Sequence, residues 1–200
     1  MHSRTLFLSL CILCLFQSLA LAEPYVNTGN VTYDATTGTN ADFYDGFINR
    51  GSVTAIADTN TGNGIYVHSG GFTNQGSVTA KGAPMPGGAP TAGQAGLRVR
   101  DGYFTNLGSV TAISNGKGGS GIKVDYGGFY NQGSVTAKGG TGGSGGYGIE
   151  VVGIFTNQGS VTADGGNDGF GVKVTGTIHN DSQGNITAIG GIGGTDFINS

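Results

Sequence analysis

The 200-residue sequence predicts an all-β fold, a single-stranded, right-handed parallel β-helix (β-solenoid) of about seven coils. Three observations carry this expectation. One short phrase returns again and again along the chain. Glycine supplies 42 of the 200 residues, about three times its usual share. Apolar residues recur at fixed offsets although only 10% of residues are charged. Dense glycine opposes helices. It does not fall at every third position, so collagen is excluded. The fixed apolar offsets argue against plain disorder.

Residues 1–22 read as a cleaved signal peptide. Met1 to Arg4 is a mildly basic start, Leu6 to Phe16 is almost wholly apolar, and Ala20-Leu21-Ala22 offers small residues for cleavage before Glu23. The apolar run is too short for a transmembrane anchor, and Gln17-Ser18 interrupts it. Both cysteines, Cys11 and Cys14, lie in this leader, and neither has the small preceding residue of a lipoprotein site. An exported chain without cysteine must be held by hydrogen bonds and packing alone. The formal charge of −3 gives no electrostatic case for nucleic acid or an anionic membrane as partner.

Residues 23–200 read as one repeat domain. The phrase is FTNQGSVTA from Phe72 and Phe155, FTNLGSVTA from Phe104, FYNQGSVTA from Phe129 and FINRGSVTA from Phe47. Weaker copies are YVNTGNVTY from Tyr25 and IHNDSQGNITA from Ile178. Coils therefore start near 25, 47, 72, 104, 129, 155 and 178, and Phe197-Ile198-Asn199-Ser200 reads as an incomplete eighth. Length varies mostly in the glycine-rich stretch after each phrase. The longest, Lys81 to Ala95, carries Pro84, Pro86 and Pro90 and reads as an exposed loop where binding could reside. A second strand follows: GIYV from Gly64, GLRV from Gly96, GIKV from Gly121, GIEV from Gly148 and GVKV from Gly171. One or two small residues, such as Gly70-Gly71 or Gly127-Gly128, then return the chain to the next phrase.

Period-two alternation assigns the faces. Phe47, Phe72, Phe104, Phe129 and Phe155 point inward as one column. Val53, Val78, Val110, Val135, Val161 and Ile186 form another. The second strand adds a column led by Ile65 and one led by Val67. No single coil could build a core, but stacked coils merge these columns into one interior. A coil of 22 to 32 residues is too short for a propeller blade, and a leucine-rich repeat would need a helical half.

The polar columns are equally regular. Asn27, Asn49, Asn74, Asn106, Asn131, Asn157 and Asn180 fall two residues after each leading residue, so parity turns them inward at a corner. Stacked amides can satisfy one another there, which predicts a structural ladder rather than a ligand site. The glycine two residues further on (Gly51, Gly76, Gly108, Gly133, Gly159) is expected to make a tight turn with positive φ. Outward, Ser52, Ser77, Ser109, Ser134 and Ser160 form one column. Thr32, Thr54, Thr79, Thr111, Thr136, Thr162 and Thr187 form a second beside it, about 7 Å away with rungs about 4.8 Å apart. Ser and Thr are ordinary outward strand residues, and such ladders suit stacked strands.

Catalytic chemistry is not indicated. Asp58, Asp101, Asp125, Glu150 and Asp168 share no repeat offset. Tyr66, Arg98, Lys123, Glu150 and Lys173 succeed one another outward, with Glu150 between two lysines; this reads as an exposed ion-pair ladder of little energetic weight. His2, His68 and His179 are scattered, so no metal is expected. GGNDGFGVKV from Gly165 superficially resembles a calcium-binding nonapeptide roll, but its aspartate is displaced and the period is wrong. No cofactor is expected.

The FxNxGxVTA phrase, its glycine-rich loop and the GIxV strand resemble the β-helical repeats of bacterial autotransporter passengers and filamentous-haemagglutinin-like adhesins. The likeness spans residues 25–200. It implies export in a Gram-negative bacterium and a non-enzymatic, adhesin-type structural role at the cell surface or outside it, with an unidentified surface or matrix ligand. It also implies a C-terminal translocator barrel. The 200 residues hold none, so the expectation is a passenger fragment or another export route. An incomplete last coil would leave a sheet edge open to end-to-end self-association. The first alternative is an ice-binding protein, because the outward hydroxyl array resembles the Thr-x-Thr surfaces of β-solenoid ice binders. A lower alternative is a polysaccharide-acting β-helix enzyme.

Overall fold

The structure, a computed structural model, describes residues 23–37, 40–58, 62–84, 95–141, 146–191 and 197–199. The leader read over residues 1–22 and the proline-bearing stretch 85–94 lie outside the described residues. In chain order the strands are β1 (Tyr25–Asn27), β2 (Asn30–Asp34), β3 (Asp42–Phe43), β4 (Phe47–Asn49), β5 (Ser52–Ile56), β6 (Ile65–Val67), β7 (Phe72–Asn74), β8 (Ser77–Gly82), β9 (Leu97–Asn106), β10 (Ser109–Ser114), β11 (Ile122–Asn131), β12 (Ser134–Lys138), β13 (Ile149–Asn157), β14 (Ser160–Asp164), β15 (Val172–Asn180), β16 (Asn185–Ile189) and β17 (Phe197–Asn199). A 3-10 turn, Ala35–Thr37, interrupts the first coil.

Every strand pairs in parallel with its counterpart one coil away, giving a β-solenoid of about six turns. Two sheets wrap the core. The SVTA strands make a seven-stranded sheet in the order β2-β5-β8-β10-β12-β14-β16. The FxN and GIxV strands make a ten-stranded sheet around β1-β4-β7-β9-β11-β13-β15-β17, with β3 and β6 alongside. Register is set by like over like. Phe72 lies opposite Phe104, Phe129 opposite Phe155, and Val110 between Val78 and Val135.

Those columns form the interior. Phe47, Phe72, Phe104, Phe129 and Phe155 are buried and stack at centroid distances of 5.0, 5.2, 4.6 and 5.1 Å, with planes within 12°. Burying one such side chain contributes about 1.5–3 kcal/mol. The column therefore stabilises the solenoid in proportion to its number of turns. Val53, Val78, Val110, Val135 and Val161 are buried opposite, and Ile65, Leu97, Ile122, Ile149 and Val172 close the third wall. The first coil adds Phe43, which pairs with Val67.

Three expectations are corrected. The glycines after the asparagine column do not turn the chain with positive φ; none of Gly51, Gly76, Gly108, Gly133 and Gly159 has one. They are needed for spacing. A Cβ at Gly133 would lie 1.9 Å from the carbonyl oxygen of Gly108, and one at Gly76 would lie 1.9 Å from that of Gly51. Successive coils meet backbone to backbone at this corner.

Positive φ occurs instead at Gly102, Gly127, Gly153 and Gly176 (127°, 142°, 136° and 140°). There the GIxV strand of one coil runs straight into the phrase of the next. The expected break of one or two small residues is found at Gly70-Gly71, between β6 and β7, but in the later coils it is a bend inside the continuous strands β9, β11, β13 and β15. Only glycine adopts that backbone readily.

Finally, Phe197–Asn199 does not open an eighth phrase. It pairs with Val172, Lys173 and Val174, so it stands in the GIxV position of the seventh coil. The FIN triplet imitates the phrase, but Phe197 follows its partner Val172 by 25 residues, a full coil, and follows Ile178 by only 19, fewer than the 22 between Tyr25 and Phe47.

Candidate functional site

The asparagine column lies at the corner between the two sheets. Nδ2 of Asn27, Asn49, Asn74, Asn106, Asn131 and Asn157 each donates to Oδ1 of the next asparagine at 2.8 Å, ending on Asn180. Nδ2 also reaches the carbonyl of the glycine two residues on and a carbonyl of the following coil; for Asn74 these are Gly76 at 3.2 Å and Ser109 at 3.1 Å. Asn49, Asn74, Asn106, Asn131 and Asn157 are fully buried. Among the described residues no buried side-chain nitrogen or oxygen lacks a partner. Every buried amide of this column therefore has a partner within the protein, and the column ties each coil to the next.

The outward side of the seven-stranded sheet carries the hydroxyl array. Thr32, Thr54, Thr79, Thr111, Thr136, Thr162 and Thr187 are consecutive register partners across all seven strands. Ser52, Ser77, Ser109, Ser134 and Ser160 form the parallel column, flanked at its ends by Asn30 and Asn185. All are at least partly exposed, while the alternating residues from Val53 and Ala55 to Val161 and Ala163 are buried, and Val31, Tyr33, Ile186 and Ala188 on the two end strands are partly buried. A third outward column, Asp34, Ile56, Lys81, Ile113, Lys138, Asp164 and Ile189, borders the threonines. Lys138 and Asp164 pair there at 3.5 Å. The two hydroxyl columns form an uncharged strip; the third breaks it with mixed charge and aliphatic surface.

The chain matches no protein-family model, no curated protein and no solved structure. What it can do must come from these faces alone.

The outward face of the GIxV strands gathers the charges. Arg98 Nε donates to Asp125 Oδ2 at 2.7 Å, and its guanidinium sits 5.1 Å from the Tyr66 ring centre. Lys123 Nζ lies 3.0 Å from Glu150 and 3.6 Å from Asp125. Lys173 Nζ lies 3.7 Å from Glu150 and 4.7 Å from the Tyr147 ring centre. The sequence placed Glu150 between two lysines but missed Asp125, which sits diagonally below. The ladder is less exposed than expected: the side chains of Asp125, Glu150 and Lys123 are 12%, 13% and 16% exposed. Aromatic rings at both ends wall it off. Both carboxylates are engaged by cations, a poor arrangement for general acid–base work.

His68 is stacked on Tyr44 at 4.2 Å and lies 3.9 Å from Tyr66; His179 sits elsewhere, opposite Thr156. Among the described residues no three of His, Cys, Asp and Glu converge to hold a metal ion. Asp168, in the segment compared with a calcium roll, is exposed with φ of 57°, an aspartate turn. Of the outward glutamines, Gln132 donates to Gln158 at 2.9 Å and Gln158 to Asp181 at 3.1 Å. No described helix is long and apolar enough to cross a membrane.

Proposed function

We propose that this chain is a secreted, non-enzymatic β-solenoid that serves as a surface structural or adhesin-type passenger segment of a Gram-negative bacterium. The observation that supports this most is the unbroken stack of core and amide columns through every described coil. Such a stack makes a stiff body whose outer faces are free to vary without cost to the interior. A rigid spacer that presents ligand-binding loops and faces away from the cell has that physical requirement. The return from the proline-bearing stretch is anchored at its base, where Ala95 N–H donates to the Asn63 side chain at 2.8 Å. Variation in that loop is thereby insulated from the rungs.

The test is expression in a Gram-negative host followed by fractionation and binding to host cells and matrix. The expected outcome is a processed chain at the surface or in the medium, with cell or matrix binding that survives replacement of any single acid. An unprocessed cytoplasmic chain, or binding to neither cells nor matrix, overturns the proposal.

The unbroken threonine register favours a second reading, ice binding through Thr32 to Thr187 with the adjacent serines. Thermal hysteresis of the purified chain measures it directly. Zero activity at high concentration removes it. The polysaccharide-acting alternative has less support, since Asp125 and Glu150 share Lys123 rather than face an open cleft.

A further inference from the structure

Two groups of acids stand out among the described residues. Asp101, Asp125, Glu150 and Asp164 each lie within 4.0 Å of a lysine or arginine nitrogen. Glu23, Asp42 and Asp45 have no cationic partner among the described residues, and all three line one open groove of about 440 Å³ on the first coil. Tyr25, Tyr33, Phe43, Tyr44, Asn40 and Gly46 complete the lining, and no lysine, arginine or histidine is among it.

The groove arises from departures of the first coil from the repeat. Tyr25 replaces the leading phenylalanine, and Tyr33 stands where the next coil has Ala55. Phe43 takes the place of Val67 and holds both rings, Tyr25 at 5.5 Å and Tyr33 edge-on at 5.7 Å. Tyr44 is held from behind by His68, yet it remains 65% exposed. Among the described residues no other coil concentrates aromatic rings and carboxylates without a cationic partner in this way.

Aromatic faces combined with diffuse negative charge select a particular ligand chemistry. A metal ion needs several oxygens converging on a point, and these acids do not converge. A bare ammonium is strongly hydrated and loses that water at a cost. A methylated ammonium is weakly hydrated and is attracted to ring faces as well as to carboxylates. The groove volume falls within the range of small-molecule sites, about 300–1,000 Å³. We propose that the first coil binds a small organic cation bearing a trimethylammonium group. This goes beyond the surface-module reading and stands independently of it.

The test titrates choline, followed by tyrosine NMR shifts and calorimetry, into the purified full chain. Its uncharged isostere 3,3-dimethylbutan-1-ol is titrated in parallel. Choline is expected to bind at least about tenfold more tightly than the alcohol, with shifts confined to Tyr25, Tyr33 and Tyr44. Asp42→Asn combined with Asp45→Asn should weaken choline about fivefold or more, and Tyr44→Leu, an exposed ring outside the core, should do the same. Asp164→Asn, five strands away along the seven-stranded sheet, should leave choline binding unchanged. Equal affinity for choline and the alcohol overturns the proposal. So does the absence of saturable binding, or an equal loss in the Asp164→Asn variant.

Discussion

Asn106 Nδ2 donates to Asn131 Oδ1 at 2.8 Å with both side chains fully buried, and that bond ties two coils 25 residues apart in sequence. The same amide reaches Gly108 and Ser134 carbonyls at 3.3 and 3.2 Å, so one side chain locks its own corner and the next. Replacing Asn106 with leucine takes one of three acceptors from Asn74 Nδ2 and removes the amide that Asn131 Oδ1 and the Gly108 and Ser134 carbonyls accept from, in a dry interior. A buried group left without its partner costs about 1–3 kcal/mol. The expected loss is about 2–4 kcal/mol, read as a lower midpoint in urea unfolding. An unchanged midpoint would mean that the column does not clamp the coils.

The glycine corner gives a sharper contrast. At Gly133 an added Cβ would lie 1.9 Å from the Gly108 oxygen, whereas at Gly29 nothing lies within 4 Å. Gly133→Ala must push two coils apart and should destabilise by about 3 kcal/mol or more. Gly29→Ala, on the edge coil, should change stability by less than about 0.5 kcal/mol. Parallel thermal melts of the two variants would show the difference. Similar midpoints would contradict the close approach of the rungs.

Much of this architecture was legible because repetition turns a weak local signal into a strong one. Phe104, Val110 and Asn106 occupy readable positions, and their parity alone gave the faces. What repetition could not reveal is where one coil touches the next. Gly133 reads as a turn residue in one dimension, and only the position of Gly108 above it shows that Cβ is what must be avoided. The bend at Gly127 was hidden for the same reason: a strand that continues through a positive-φ glycine looks like two strands and a linker. Asp125 was missed in the charge ladder because it answers Arg98 diagonally rather than at a shared offset. The groove on the first coil was illegible because it is built from exceptions to the repeat.

Glu150 is the hinge of that ladder, shared by Lys123 at 3.0 Å and Lys173 at 3.7 Å. Exposed pairs contribute little, about 0–1 kcal/mol. Here the partners are mostly covered, so Glu150→Gln should destabilise by about 1 kcal/mol, near the top of that range. Because salt screens charges still reached by solvent, the deficit should shrink between low and 1 M sodium chloride. A deficit that is absent at low salt would return the ladder to the status of a solvated surface.

Tyr33 makes the first coil sensitive to alkali. Burial, reinforced by the hydrogen bond with Tyr25, pushes its phenol above the ordinary value of 10.0. The folded state therefore keeps the Tyr33 proton at a pH where the unfolded chain has released it. Stability falls with rising pH wherever the folded state binds more protons. The Tyr33 contribution is thus complete below about pH 10 and is lost as pH rises through the higher folded value. Tyrosine absorbance and unfolding midpoints followed from pH 8 to 12 should show the midpoint falling above about pH 10. Tyr33→Phe should have a shallower fall, because its ring still packs against Phe43 and no phenol remains to ionise. Equal slopes for the two chains would show that Tyr33 ionises as freely in the folded coil as in water.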